Sequence, residues 1–204
     1  MSFPGVLLLG ATSRIGRVLQ DRWSGSGVAG SVLWQCRSPQ QGQKNQTLNW
    51  VELNLLHDAD ALAAVAQGRA VILCLAGVVP GRQGDLADNV ALGLAAVRAG
   101  AASGARVLLA SSAAVYGNQP GHLSETSALH PASPYGAAKA EMETRAAALA
   151  GQLGVDLCCL RIGNVAGLDA ILGNWRPGFQ LDQFADGRTP RRSYIGPITL
   201  ARVL

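Results

Sequence analysis

Short apolar runs alternating with longer alanine-rich stretches constrain this chain more than any other feature of it. Runs at 5–9 (GVLLL), 31–36, 47–53, 70–76, 106–111 and 155–161 read as strands. Between them, 15–24, 58–67, 84–103 and 135–151 have the length or pattern of helices. Strand–helix–strand alternation builds βαβ units, and those pack as a parallel sheet covered on both faces. The expected class is therefore α/β, doubly wound. At 204 residues and 49% hydrophobic, the chain can bury one good core and a small appendage. Composition shifts after Gly167, where LDAILGNWRPGFQLDQFADGRTPRRSYIGP loses the alanine-rich helices and gains Pro, Gly, Trp and Phe. That stretch reads as an added lobe rather than as more sheet.

Charge and cysteine usage narrow the partners. The net charge of +4 comes from scattered arginines at a charged fraction of 15%, without the basic runs or aromatic interleaving of a nucleic-acid surface. No nucleic-acid partner is expected. Cys36, Cys74, Cys158 and Cys159 all lie in apolar runs with no metal-ligand spacing, so free buried thiols in a reducing compartment are expected and a metal is not. MSFPGVLLLG lacks the basic flank and apolar length of a signal peptide, and no window reaches the ~18 apolar residues of a membrane span. The expectation is a soluble cytoplasmic protein with no membrane partner.

Directly after the first strand comes GATSRIG, Gly10 to Gly16, and then a helical pattern. A strand-to-helix turn with little side-chain bulk lets backbone N–H groups and the helix N-terminus approach a pyrophosphate. Ser13 stands where a middle glycine is expected. The second strand ends in Cys36-Arg37, where an NAD-type site places an acidic residue for the ribose 2′-hydroxyl. A guanidinium there favours a 2′-phosphate, hence NADP over NAD; the alternative is a solvated loop charge.

Of the 17 Lys and Arg residues only two are lysine, Lys44 and Lys139, and Lys139 stands four residues after Tyr135 in SPYGAAKAEM. Positions i and i+4 of one helix share a face, so the two side chains can act on one ligand. A tyrosine pKa of ~10 is high for a base, and a nearby ammonium is expected to lower it. Lysine offers a compact, three-donor charge that a planar guanidinium does not reproduce. Upstream, the fifth strand runs into LLASSAAVYG, which places Ser112 at a strand C-terminal end, where a ligand crevice is expected. Its hydroxyl can hold a substrate oxygen while the phenol moves a proton.

With these residues the chain resembles the extended short-chain dehydrogenase/reductase family, the NAD-dependent epimerase/dehydratase group. The likeness covers about residues 5–167 and resumes at 190–202. GATSRIG resembles the family's G-x-x-G-x-x-G turn except at Ser13, LCLAG its fourth-strand segment, DNVALGLAAVRAG the helix that follows, and LLASSAAVYG and ETSALHPASPYGAAK its most specific signatures. The resemblance implies a Rossmann-type fold and a catalytic Ser112-Tyr135-Lys139 set. It implies cofactor contacts from Gly10, Thr12, Ser13, Arg14, Ile15, Gly16, Arg37, Asn54, Leu75, Ala76, Gly77, Asn89, Tyr135 and Lys139. LRIGNVAG is similar to the stretch whose Asn contacts substrate, here Asn164, beside Ser112.

Residues 1–167 are thus expected to form an NAD(P)-binding domain and 168–204 the start of a substrate lobe. SYIGPITLARVL resembles a family motif, but Gly196, Pro197, Ile198 and Thr199 replace its polar residues. The chain stops at Leu204 in what reads as the opening of a helix, so the lobe is expected to be incomplete. The functional expectation is an NAD(P)-dependent oxidoreductase, epimerase or dehydratase acting at a carbinol or carbonyl carbon of a sugar-like or other small substrate. The alternative is a cofactor-binding regulatory or scaffold protein with little turnover. A homodimer is left open.

Overall fold

The computed structural model describes residues 3–38, 47–169, 173, 175–180, 182–189 and 191–204. Six parallel strands form the main sheet: β1 (Val6–Leu9), β2 (Val32–Cys36), β3 (Asn49–Glu52), β4 (Val71–Cys74), β5 (Arg106–Ser112) and β6 (Leu157–Ile162). Their order is β3-β2-β1-β4-β5-β6. The order reverses between β1 and β4, and a doubly wound sheet opens its ligand crevice at the carboxyl ends of the strands flanking that point. This is the Rossmann-type sheet expected from the sequence.

Successive side chains of β1 point to opposite faces, which is why the whole run must be apolar. Leu7 and Leu9 join one cluster with Leu62, Val97, Met142 and Ala146. Those partners come from α2 (Ala59–Ala66), α3 (Asp88–Ser103) and α4 (Pro134–Leu153). Leu8 faces the other way, into a cluster with Leu19, Trp34, Leu73 and Ala201, supplied in part by α1 (Arg14–Trp23) and α5 (Pro197–Val203). Trp34 is fully buried there between Trp23 and Trp50, with ring centroids 6.1 and 6.2 Å away.

The four expected helices are present, with one notable shift. The 84–103 segment becomes helical only at Asp88, because Gly84 takes a φ of 125° and Asp85 Oδ1 accepts from Ala87 N at 2.9 Å, closing a turn. α4 begins cleanly: Ser133 Oγ accepts from Gly136 N at 3.1 Å and Pro134 occupies the first turn. Beyond β6, β7 (Asn164–Val165) pairs in parallel with β8 (Tyr194–Ile195). The chain then returns to the sheet. Trp23 Nε1 donates to Ala201 O at 2.9 Å, so the last turn of the segment expected to open a lobe is seated on the core of the main sheet.

Candidate active site

The turn after β1 is shaped by close backbone approach. Gly10 has a φ of 75°, and a Cβ there would lie 2.5 Å from Ala76 N and 2.6 Å from Ala76 Cα. Only glycine allows the loop after β4 to lie against this turn. Ser13 does not stand as bulk in the middle of it. Its extended backbone makes it the N-cap of α1, and its Oγ accepts from Gly16 N at 3.0 Å. Arg14 and Ile15, the next residues, carry N–H groups that no intrahelical bond can reach. Arg14 is exposed and its guanidinium donates to Leu168 O; Thr12 is half-buried in the turn, and Ile15 packs on the Trp34 cluster.

A buried glutamine absent from the sequence-based set ties this turn down. Gln35, 1% exposed, accepts from Gly10 N at 2.8 Å and donates to Leu53 O at 2.7 Å. The signal was available, since a polar residue inside an apolar strand needs partners. Arg37 follows β2 on the surface. Asn54, just after β3, is occupied locally: its Oδ1 accepts from Leu56 N at 3.0 Å and its backbone N donates to Asp58 Oδ2 at 2.6 Å. Leu75 spends its side chain in the core while its N donates to Leu9 O at 2.8 Å. Asn89, 1% exposed, holds the loop after β4, accepting from Val78 N at 3.2 Å and donating to Val78 O and Leu86 O, each at 2.9 Å. Its side-chain hydrogen bonds are to this loop.

Ser112, Tyr135 and Lys139 converge at the ends of β4 and β5. Ser112 ends β5 and caps the short 3-10 turn Ala113–Tyr116, its Oγ 3.2 Å from Ala114 N. α4 comes hard against that turn, because a Cβ on Gly136 would sit 2.5 Å from Ala114 O. Burial raises the Tyr135 phenol above its usual value, and the hydrogen bond with Ser112 pulls it down. Lys139, 4% exposed, donates from Nζ to Ala110 O at 2.8 Å and lies 3.8 Å from Met142 Sδ. Burial lowers its pKa, opposed by Cys74, Cys159 and Glu143. The expected lowering of Tyr135 by Lys139 is therefore replaced by an interaction with Ser112: the ammonium points to the β5 carbonyl and the rim at Gly77. Substituting Lys139→Arg should lower stability by ~1–3 kcal/mol and turnover by ~10-fold, since the larger fork does not fit this enclosed site. Denaturant unfolding and kinetics on one preparation check both.

Asn164 lies in β7, just past the end of β6, where its Nδ2 donates to Ser193 O at 3.1 Å. Glu143 and Arg161 lie in the network next to the set, and the sequence reading passed over them. Glu143 is four residues beyond Lys139 on the same helix face, and Arg161 is a lone charge in a strand run.

At the carboxyl ends of the strands, glycines let the turn after β1 and the loop after β4 pack closely. Gly10 lets the loop after β4 close against the first turn. At Gly77, exposed on the rim, a Cβ would meet Asn89 Oδ1 at 2.8 Å and Lys139 Nζ at 3.3 Å. The sequence profile of the NAD dependent epimerase/dehydratase family matches residues 6–175. The chain belongs to that family. A search of curated proteins finds no match.

Among solved structures the chain is similar to MoeE5 in complex with UDP-glucose and NAD, at 28% identity and a TM-score of 0.67, covering 80% of this chain and 55% of that one. It is similar to the UDP-glucuronic acid 4-epimerase of Bacillus cereus in complex with UDP-glucuronic acid and NAD, at 21% identity and 0.65, covering 80% and 57%. The UDP-N-acetylglucosamine 4-epimerase of Methanobrevibacter ruminantium, in complex with UDP-N-acetylmuramic acid, matches at 21% identity and 0.71, covering 99% and 72%. The chain thus spans a little over half the length of the first two. Among the described residues, no helix is long and apolar enough to cross a membrane and no cluster of His, Cys, Asp or Glu could hold a metal.

Proposed function

We propose that this member of the NAD-dependent epimerase/dehydratase family performs oxidoreduction, epimerisation or dehydration at a carbinol or carbonyl carbon of a sugar-like substrate. The observation that carries this is that Ser112, Tyr135 and Lys139 lie together at the carboxyl ends of the strands, with Lys139 Nζ against Gly77 of the loop that closes on Gly10. A bound NAD(P) supplies the hydride acceptor and donor for such chemistry. Tyr135 holds the proton at its phenol oxygen; because burial raises that group, it stands ready as the acid. Ser112, hydrogen-bonded to the phenol, orients the substrate oxygen. Lys139 sits beneath Gly77 and supplies donors to the ribose side of the crevice. The Gly10–Gly16 turn and Arg14 and Ile15 N–H groups receive the pyrophosphate. The stretch between Gly167 and β8 begins the substrate lobe, with Asn164 at its edge, before α5 returns to the sheet.

UDP-sugars are the first substrates to test, because the similar structures named above contain them. Incubating the protein with NAD or NADP and a panel of UDP-sugars, with products resolved by NMR, tests the reading. No epimerised, oxidised or dehydrated product from any sugar or carbonyl tested would remove it.

Cofactor choice rests on the end of β2. Cys36 offers no carboxylate to a 2′-hydroxyl and exposed Arg37 suits a 2′-phosphate, whereas the similar structures carry NAD. The proposal is therefore NADP in preference to NAD. Arg37→Ala should weaken NADP by ~1.5–3 kcal/mol and leave NAD nearly unchanged, with the difference shrinking as salt rises. Calorimetric titration of both cofactors decides it, and tighter NAD binding by the wild type would reject the preference.

A further inference from the structure

Glu143 is 6% exposed, and its carboxylate joins four elements around the reacting groups. It accepts from Ser111 Oγ, the residue before Ser112. Arg161 grips it in a fork, with Nε at 3.2 and 3.1 Å from the two carboxylate oxygens and Nη2 at 2.9 Å from Oε2. The remaining arm of Arg161 donates from Nη1 to Tyr116 Oη at 2.8 Å and Glu125 O at 3.0 Å. Tyr116 ends the turn that Ser112 begins, and its hydroxyl donates to Ser124 O at 2.8 Å. One carboxylate therefore links β5, α4 and β6 to the loop after the Ser112 turn. A charged, hydrogen-bonded network of this kind holds its members in one arrangement, and losing one partner strands the others.

We infer that Glu143 is the positioning residue of the Ser112-Tyr135-Lys139 set: clamped by Arg161, it fixes the Ser111–Ser112 strand end and supplies the anion that keeps buried Lys139 charged. This rests on the proposed reading of those three residues as the reacting set.

The groups around Lys139 decide which charge matters. β5 presents the Ala110 carbonyl, and Asn89 of α3 lies across Gly77. Cys74 of β4 and Cys159 of β6 both act on the ammonium, but burial pushes each thiol up to about 11, so neither is an anion at neutral pH. Tyr135, on α4, is raised and also neutral there. That leaves Glu143, one helical turn away on α4.

The chain's two lysines make this directly measurable. In protein labelled with carbon-13 at lysine Cε, only Lys44 and Lys139 give side-chain signals, and Lys44→Arg assigns them. Glu143→Gln should lower the Lys139 titration midpoint by about one pH unit or more. An unmoved midpoint in folded Glu143→Gln overturns the inference. So does a wild-type Lys139 already neutral at pH 7, which needs no variant to fold. The titration uses neither substrate nor dinucleotide. Absence of turnover and of cofactor binding would sink the enzyme reading while leaving the titration to judge the charge coupling by itself.

Discussion

Tyr135→Phe should lose turnover by ~100-fold or more while dinucleotide binding changes little. The substitution keeps the half-buried ring where α4 places it and removes only the hydroxyl that interacts with Ser112. The reaction then lacks the group that gives and takes the proton at the substrate oxygen. Structure should survive, because the hydroxyl's recorded partner is a second site residue rather than the core. Steady-state kinetics on whichever substrate the panel identifies, with calorimetric cofactor titration on the same preparation, separate the two effects. Turnover within a few-fold of wild type would take Tyr135 out of the mechanism. Equal losses in turnover and cofactor affinity would instead mean that the phenol's work is in binding.

Gly10→Ala should destabilise the protein by about 3 kcal/mol or more. The left-handed φ of 75° alone is worth ~1–2 kcal/mol against any residue with a Cβ. The added methyl would also overlap Ala76 N and Cα and the Leu75 carbonyl carbon, which are backbone atoms and cannot turn aside like a side chain. Gly68 is the control. It has a φ of 70° and nothing within 4 Å of a built Cβ, so Gly68→Ala should show only the conformational part. Urea unfolding of both variants at unchanged m-value measures the difference. Similar losses at the two positions would mean that the turn after β1 relaxes away from the β4 loop, and that the crevice is less tightly drawn than the contacts imply.

The sheet was legible because its evidence is local. The central run buries both faces, with Leu7 and Leu9 on one side and Leu8 on the other. Helix ends carried their own chemistry, as at Ser133-Pro134. The start of α3 was misplaced because the Asp85 turn competes with the helix through a side-chain contact that helical periodicity does not register. Near the site, Tyr135 and Lys139 were visible together because they share one helix face, a relation that spacing alone specifies.

What a sequence cannot specify is which side chains from distant strands meet, or which way a charge points once they do. Gln35 pins a turn 25 residues away, and Arg161 reaches Tyr116 across 45 residues. The ammonium of Lys139 was expected to act on the phenol, yet it donates to Ala110, 29 residues upstream, while Ser112 engages Tyr135. Periodicity alone determined the elements and the shared face of the site helix, because spacing sets side-chain direction within an element. Only the tertiary structure decided the partners, because a buried polar group bonds whatever packing brings within reach, however far along the chain it lies.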